Sequence, residues 1–357
     1  MTGSPQPVLQ QNNGGISIPP FLSALTRLIF TLALTFIGLL FVTFIIGRVV
    51  PIDPLLSIVG DRAPTDVVER VREELGLNLP LWRQFLIYAA NVLQGDFGVS
   101  TLTANPVIVD IKRFFPATFE LATVGIIIGI LFGVPLGVIA ATKQNRWPDQ
   151  VVRIVSLAGY SAPVFWLGLI GLLLFYAKLD WVAGPGRLDV FYDDIVPVVT
   201  GVIIIDSVIS GDWDVFRNAV SHLILPASLL GYFSLAYIAR MTRGFMLEQL
   251  SQEYITTARV KGLSETRVVW RHAFGNVLIP LITVIALSYA SLLEGSVLTE
   301  TVFAWPGLGR YITNALFAAD MNAVLGGTIV VGAVFVGLNL LSDMLYRLVD
   351  PRARRVS

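Results

Sequence analysis

The sequence predicts an all-α integral membrane protein of six transmembrane helices, and three observations support this fold class. Hydrophobic residues make up 55% of the 357 residues, and only 14% are charged. The mean hydropathy is +0.73, so a water-soluble protein of this length would lack the polar residues that its surface needs. Six stretches without Asp, Glu, Lys or Arg are long enough to cross a hydrocarbon core of about 30 Å as helices.

The six predicted spans do not include every apolar stretch of the sequence. A further apolar run, 195–205, lies between two aspartates and is too short to span, so we expect it to lie at an interface or to pack on the protein. The predicted spans are 28–47, 121–142, 154–177, 218–239, 273–293 and 321–342.

Both ends of the chain are predicted to be cytoplasmic. The segments that alternate with the helices and include both termini hold 14 basic and 6 acidic residues, whereas the complementary side has an excess of eight negative charges. Basic loops are retained in the cytoplasm, which orients the chain in the inner or plasma membrane. Residues 1–20 are predicted to be a disordered tail without a signal peptide, 21–47 the first transmembrane helix, and 351–357 a second cytoplasmic tail.

Two outer segments are predicted. In the first, 48–116, Val67, Val68 and Val71 recur at helical spacing, which predicts a small helical extracytoplasmic region. The second, an insertion at about 187–220, is rich in Asp. We favour a surface elaboration for this insertion, with contact to a partner protein as the alternative.

The sequence lacks the motifs of most enzymes. It has no Cys and two His, so we expect no thiolate chemistry and no metal site. None of its four lysines belongs to a GxxxxGK[ST] loop, and neither HExxH nor GxSxG occurs. We therefore predict a protein without catalytic residues and without an ATPase site of its own, surrounded by membrane lipid and with no nucleic-acid partner.

Small and polar residues mark two predicted helices. Glycines four residues apart form one stripe where another helix can approach closely, which favours tight packing over a moving gate. On the fifth span, Glu294 is costly near a helix end unless it faces a polar interior or reaches the interface, and both interpretations remain open. Ser288 and Ser291 are the other candidates for a translocation pathway. The glycine stripe consists of Gly125, Gly129, Gly133 and Gly137.

The long cytoplasmic loop, 240–277, predicts two short helices joined at Gly262 and Leu263. Gly262 is suited to ending the first helix, and Ser264 to capping the second. Apolar residues such as Ile255 and Ala258 argue against a purely solvated loop. This hairpin is therefore predicted to dock on a partner.

The loop sequence EYITTARVKGLSETRVVWRHAFGNVLIP and the later ETVFAWPGLGRYI resemble motifs of a known family. They are similar to the coupling loop and the external loop of the permease subunits of binding-protein-dependent ABC importers, in the dipeptide and oligopeptide B-type group. GDFGVS, SAPVFWLGL and LYRLVDPR support the resemblance, which covers roughly 28–352 in order. It implies a type I ABC importer fold with a permease core at 117–350 and an external loop containing Trp305, Pro306 and Gly307.

This resemblance also implies the partners. The chain would form half of a peptide pathway with a homologous second permease, bind cytoplasmic ABC ATPases that carry ATP and Mg, and receive peptide from an extracytoplasmic binding protein; it would hold no cofactor itself. The acid of the family's Glu-Ala-Ala pattern is missing at 256–258, and Glu253 is placed to replace it. The implied coupling residues are Glu253, Tyr254, Thr257, Ala258, Arg259, Lys261 and Gly262.

Other functions remain open. Similar permeases carry nickel chelates or other small solutes. A channel or secondary transporter, independent of ATP, would work without partner subunits.

Overall fold

The computed structural model describes residues 20–49, 64–74, 77–193 and 195–349, and in these residues it is built from helices with no named strand. This confirms the predicted all-α class. The predicted tail 1–20 lies outside the described residues except for Pro20, and 351–357 lies outside them entirely. The helices are α1 Pro20–Val49, α2 Thr65–Glu74, α3 Leu81–Leu93, α4 Val107–Thr142, α5 Trp147–Ser161, α6 Val164–Lys178, α7 Ile203–Ser210, α8 Trp213–Leu250, α9 Glu253–Val260, α10 Glu265–Gly295, α11 Val297–Val302, α12 Leu308–Phe317 and α13 Met321–Val349.

Five of the described helices are long and apolar enough to cross a membrane, and a sixth span results if α5 and α6 count as one. The five are α1, α4, α8, α10 and α13, and each contains one of the predicted windows. The composition therefore located these five spans correctly.

The third predicted span, 154–177, is not one continuous helix. The chain bends by 100° between α5 and α6. Ala162 has extended angles, φ −87° and ψ 131°, directly before Pro163. Proline disfavours the helical conformation of the preceding residue and has no N–H to donate, which accounts for the break at this position.

The helix α4 is longer than predicted and runs through the predicted boundary between 116 and 117. Its additional turns begin at Val107, which is completely buried, and include Pro116. Asp110 and Glu120 are also buried here, and their hydrogen bonds explain why charged residues are accommodated in this helix.

The core lies where α4, α8 and α10 pack together, with Leu121, Ile238 and Leu281 among its buried residues. The glycine stripe of α4 faces α8. A Cβ on Gly125 would lie 3.0 Å from the Cβ of Leu230, and one on Gly133 would lie 3.1 Å from the carbonyl oxygen of Leu235. The stripe therefore lets the two helix backbones approach closely.

Gly137 gives a direct test of this packing. In Gly137→Ala the new Cβ would lie 2.6 Å from the Ala239 carbonyl oxygen, and we expect a loss of about 1–2 kcal/mol of unfolding free energy. In the control Gly244→Ala on α8 the new Cβ meets nothing within 4 Å, and the better helix former should be neutral or stabilising by up to about 1 kcal/mol. Denaturation of the purified proteins in detergent measures both. Equal effects of the two changes would contradict tight packing at the stripe.

The outer segments contain further helices. Within 48–116, α2 and α3 are separate short helices, as the helical spacing in this segment predicts. The insertion 187–220 contributes α7 and is partly packed into the protein, because Asp206 and Ser207 are buried. It is thus more than a surface elaboration.

Candidate functional site

The hairpin, residues 253–267, turns at Gly262 after α9. Gly262 has φ +78°, a left-handed conformation that glycine adopts without a steric cost. The Gly262 N–H donates to the Arg259 carbonyl (2.9 Å) and the Leu263 N–H to the Ala258 carbonyl (3.3 Å), which ends α9. The local reason for the turn is therefore the glycine itself.

The two sides of α9 have different surroundings. Ile255 and Ala258 are buried in the core that α8 and α10 share. The other predicted coupling residues are exposed. Val260, which also lies on α9, is 83% exposed. Ala258 therefore anchors the hairpin, while an exposed face is left for contact. The exposed set is Glu253, Tyr254, Thr257, Arg259, Lys261 and Gly262.

The second half of the hairpin differs from the prediction of a separate short helix. Glu265 is already the first residue of the long helix α10, which includes a π-helical turn at Val268–Ala273. Ser264 precedes this helix, but its side chain makes no capping hydrogen bond. The hairpin is thus joined to a predicted membrane span by continuous helical backbone, because no glycine or proline interrupts 263–274.

Side-chain contacts fix the hairpin to itself and to the bundle. Arg259 donates from Nε to Glu265 (2.8 Å), which links the two arms. The Tyr254 hydroxyl donates to the Gln249 side chain (2.8 Å) and accepts from the Asn276 amide (3.0 Å), which ties α9 to α8 and α10. A force on this hairpin would therefore reach two long helices.

A groove of about 460 Å³ contains two of the predicted pathway residues, Ser288 and Ser291. Ser288 shares a 3.1 Å hydrogen bond with Ser234 of α8, which also lines the groove. Gly159 of α5 and Val164 of α6 line the same groove, on either side of the bend. We call this the serine groove.

The third predicted pathway residue, Glu294, lies elsewhere. It is exposed and lines a separate cavity of about 120 Å³ with Thr118 and Gly309. The structure therefore does not bring Glu294 together with Ser288 and Ser291 in one cavity, because its position on α10 turns it toward α4 and α12.

The residues of the predicted external loop are largely buried. The Trp305 ring is completely buried, and its Nε1 donates to the Ala117 carbonyl of α4 (2.9 Å). Gly307 is buried beside Glu300, so closely that a Cβ at this position would overlap the carboxylate. Pro306, which lies between Trp305 and Gly307 in the chain, is half-buried. These residues hold the loop to α4.

Glu300, which was not among the residues predicted from the sequence, organises this loop. Its Oε1 accepts from the hydroxyls of Thr118 (2.6 Å) and Ser296 (2.9 Å), and its Oε2 accepts from the Arg310 N–H (2.8 Å). Burial raises the pKa of Glu300, although these hydrogen bonds act in the opposite direction. The sequence did contain a signal for this residue, because Glu300 is an acid in a predominantly apolar segment. It lies seven residues before Gly307 and nine residues before Gly309.

A second buried acid ties the insertion to α4. Glu120 accepts from Nε (2.9 Å) and Nη2 (2.6 Å) of Arg187 and from the Ile204 N–H (3.0 Å). Asp206 accepts from the N–H groups of Thr200 and Gly201, and although burial raises its pKa, these hydrogen bonds and that of the Thr200 hydroxyl bring it below the usual value. Charged residues of the insertion are thus used for internal structure.

The chain matches two family descriptions that together cover most of its length. Residues 133–355 match "Binding-protein-dependent transport system inner membrane component". Residues 21–122 match the N-terminal family of the same transport-system membrane components.

Similar proteins extend over nearly the whole chain. A probable D,D-dipeptide transport system permease protein of Escherichia coli is 44% identical over 94% of this chain and 98% of its own. A di/tripeptide transport system permease protein of Pseudomonas aeruginosa is 43% identical over 93% and 99%. A dipeptide transport system permease protein of Haemophilus influenzae is 45% identical over 90% and 96%.

Among solved structures, one of the inward-facing MetNI methionine ABC transporter is similar over 67% of this chain and 95% of the matched chain. The TM-score is 0.49 and the sequence identity 18%.

Proposed function

Because the chain belongs to the family of binding-protein-dependent transport system inner membrane components, we propose that it is a permease subunit of an ATP-driven importer of dipeptides or oligopeptides. The observation that carries this proposal is the likeness, at 43–45% identity over at least 90% of the chain, to three proteins named as di- or tripeptide permeases. A multi-pass membrane protein with a projecting hairpin fits this role.

The hairpin is the proposed contact with the ATPase. Its exposed face would enter a groove on a cytoplasmic ATPase subunit, whose bound ATP and Mg would provide the driving energy. The continuous helical backbone of α10, which begins in the hairpin at Glu265, supports a mechanical role, since a helix transmits displacement along its axis. The coupling residues would then transmit movement without reacting with ATP.

The serine groove is the proposed half of the translocation pathway. It lies between predicted membrane helices and offers hydroxyl groups that can hydrogen-bond to peptide amides. A homologous second permease would supply the other half, and an extracytoplasmic binding protein would deliver the peptide. In this orientation both termini and the hairpin are cytoplasmic, and Glu294 remains a candidate contact on the outer side.

Reconstitution tests the proposal. The chain is purified with its co-expressed partner subunits, placed in liposomes, and supplied with the binding protein and with labelled L-alanyl-L-alanine. We expect uptake that requires ATP, is absent when the chain is reconstituted alone, and exceeds the uptake of a nickel chelate. Uptake by the isolated chain without ATP would instead identify a channel or secondary transporter, and a preference for the chelate would overturn the peptide assignment.

A further inference from the structure

The last turns of α10 have one exposed face. Leu287, Ser291 and Glu294 are exposed and recur at intervals of four and three residues, which places them on the same side of the helix. Leu292 and Leu293, on the other side, are buried. This open face belongs to a helix that is long and apolar enough to cross a membrane.

The Glu294 carboxylate has no partner among the described residues, since it makes no hydrogen bond and no ion pair with them. Glu120 and Glu300, by contrast, are buried and hydrogen-bonded. An ionised carboxylate is costly in hydrocarbon, and charged residues of spanning helices accordingly face the bundle interior or a water-filled space. The exposed face of α10 is therefore expected to border a polar space and not the lipid core.

Glu294 lies at the rim of the serine groove. Ser291, one turn before it, and Gly295, directly after it, both line the groove. Glu294 itself lines the neighbouring cavity of about 120 Å³. The polar space beside the exposed face of α10 is thus the open side of the serine groove, with Glu294 as the acid at its edge.

The serine groove has no charged group in its lining. None of the described residues that line it is Asp, Glu, Lys or Arg, and its polar side chains are the hydroxyls of Ser234, Tyr237, Ser288 and Ser291. Ser234 and Ser288 already share a hydrogen bond. Hydroxyls can bond to peptide amides, but a charged group that leaves water is costly unless an opposite charge compensates it. A peptide in the groove therefore needs a charged partner at the rim for each charged terminus.

We propose that Glu294 binds the α-ammonium group of the transported peptide at the rim of the serine groove. This inference rests on the proposed function. Every linear peptide with a free N-terminus carries this cation whatever its side chains, and its three N–H groups donate charge-assisted hydrogen bonds to a carboxylate. Glu294 would thus hold the end that peptides of different sequence share, while the groove contacts the rest of the molecule.

A phospholipid with an ethanolamine headgroup carries the same ammonium chemistry. Such a headgroup would reach Glu294 from the membrane interface at the end of α10, whereas a peptide would reach it from the groove. The position of Glu294 between the groove-lining residues Ser291 and Gly295 favours the peptide. The lipid composition of the membrane separates the two sources experimentally.

The test measures equilibrium binding to the assembled importer without ATP and without the binding protein, so that the peptide meets only the membrane complex. The importer is placed in nanodiscs of phosphatidylcholine, whose headgroup has no N–H to donate. Labelled L-alanyl-L-alanine is compared with its N-acetyl derivative, which lacks the ammonium group. We expect the acetylated form to bind about tenfold more weakly, and Glu294→Gln to weaken the free dipeptide by about tenfold while leaving the acetylated form unchanged.

Two further variants control for charge and fold. Glu294→Asp retains the carboxylate and should retain the preference for the free dipeptide. Asp214→Asn removes an exposed acid from the first turn of α8, outside the groove and the Glu294 cavity, and should leave both affinities unchanged. Because Glu294 has no partner among the described residues, Glu294→Gln should assemble and unfold like the wild type.

Equal affinities of the free and the acetylated dipeptide for the wild type would overturn the proposal. Loss of the second permease from the Glu294→Gln complex would overturn it as well, because the carboxylate would then contact the other subunit. A further arm adds phosphatidylethanolamine to the nanodiscs. If Glu294→Gln loses this lipid while binding both dipeptide forms like the wild type, the ligand is the lipid headgroup and the proposal is wrong.

Uptake separates the two levels of inference. It is measured on the same preparations with ATP and the binding protein. ATP-driven uptake together with equal binding of the free and the acetylated dipeptide contradicts only the role of Glu294, whereas absence of ATP-driven uptake contradicts the proposed function.

Discussion

Gly262→Val is expected to reduce peptide uptake by roughly thirtyfold in the assembled importer. Gly262 has φ +78°, where a β-branched residue is strained by about 2 kcal/mol. This strain would lower the equilibrium population of the turned hairpin by about thirtyfold, because every 1.4 kcal/mol changes an equilibrium constant about tenfold. A Cβ at this position meets nothing within 4 Å, so the expected loss comes from the backbone conformation and involves no clash within the chain.

Asparagine provides the matched control for this position. Asn tolerates the left-handed conformation far better than Val, so Gly262→Asn should retain most of the uptake although it adds a larger polar side chain. Substrate-stimulated ATPase activity and uptake are measured on the same preparations. If Val and Asn reduced both activities equally, side-chain contact with a partner, and not the turn, would be the important property of this residue.

Glu300→Ala is expected to lower the unfolding free energy by about 4 kcal/mol. The change removes the acceptors of the Thr118 and Ser296 hydroxyls and of the Arg310 N–H, leaves these donors buried, and opens a cavity beside Gly307. The loop that holds Trp305 against α4 should loosen as a consequence. Denaturation in detergent, followed by tryptophan fluorescence, measures both effects.

Glu300→Gln separates charge from shape at this site. Because burial raises the pKa of Glu300, a neutral isostere should be tolerated better than alanine, although its amide group cannot accept one of the three hydrogen bonds. Glu248→Ala, at an exposed position of α8, is the control and should change stability by less than about 0.5 kcal/mol. Equal losses for Glu300→Ala and Glu248→Ala would exclude the buried network as a source of stability.

Sequence reasoning was most successful where a property repeats along the chain. Uncharged apolar windows placed five spans, because the cost of a charge in hydrocarbon acts on every residue of a helix in the same way. The turn at Gly262 was also predictable, since it depends on one residue's own backbone freedom. The bend at Ala162 was a local signal as well, but the uninterrupted hydropathy of 154–177 concealed it.

The buried polar groups could not be assigned in this way. Glu294 attracted attention as an acid at the end of a span, yet it is exposed, whereas Glu300 and Glu120 are buried. The partners of these two acids include Thr118, 182 residues away from Glu300, and Arg187, 67 residues away from Glu120. No local pattern encodes contacts between positions so distant in the chain.

The sequence by itself determined the membrane solvent, the helical class, the five continuous spans and the flexible glycine on which the hairpin turns. Each follows from the chemistry of neighbouring residues: transfer of side chains into hydrocarbon, and the freedom of a residue without Cβ. Only the tertiary structure decided which acids are buried and that the serines line one groove apart from Glu294. These features depend on which helix faces come together, and packing alone fixes that.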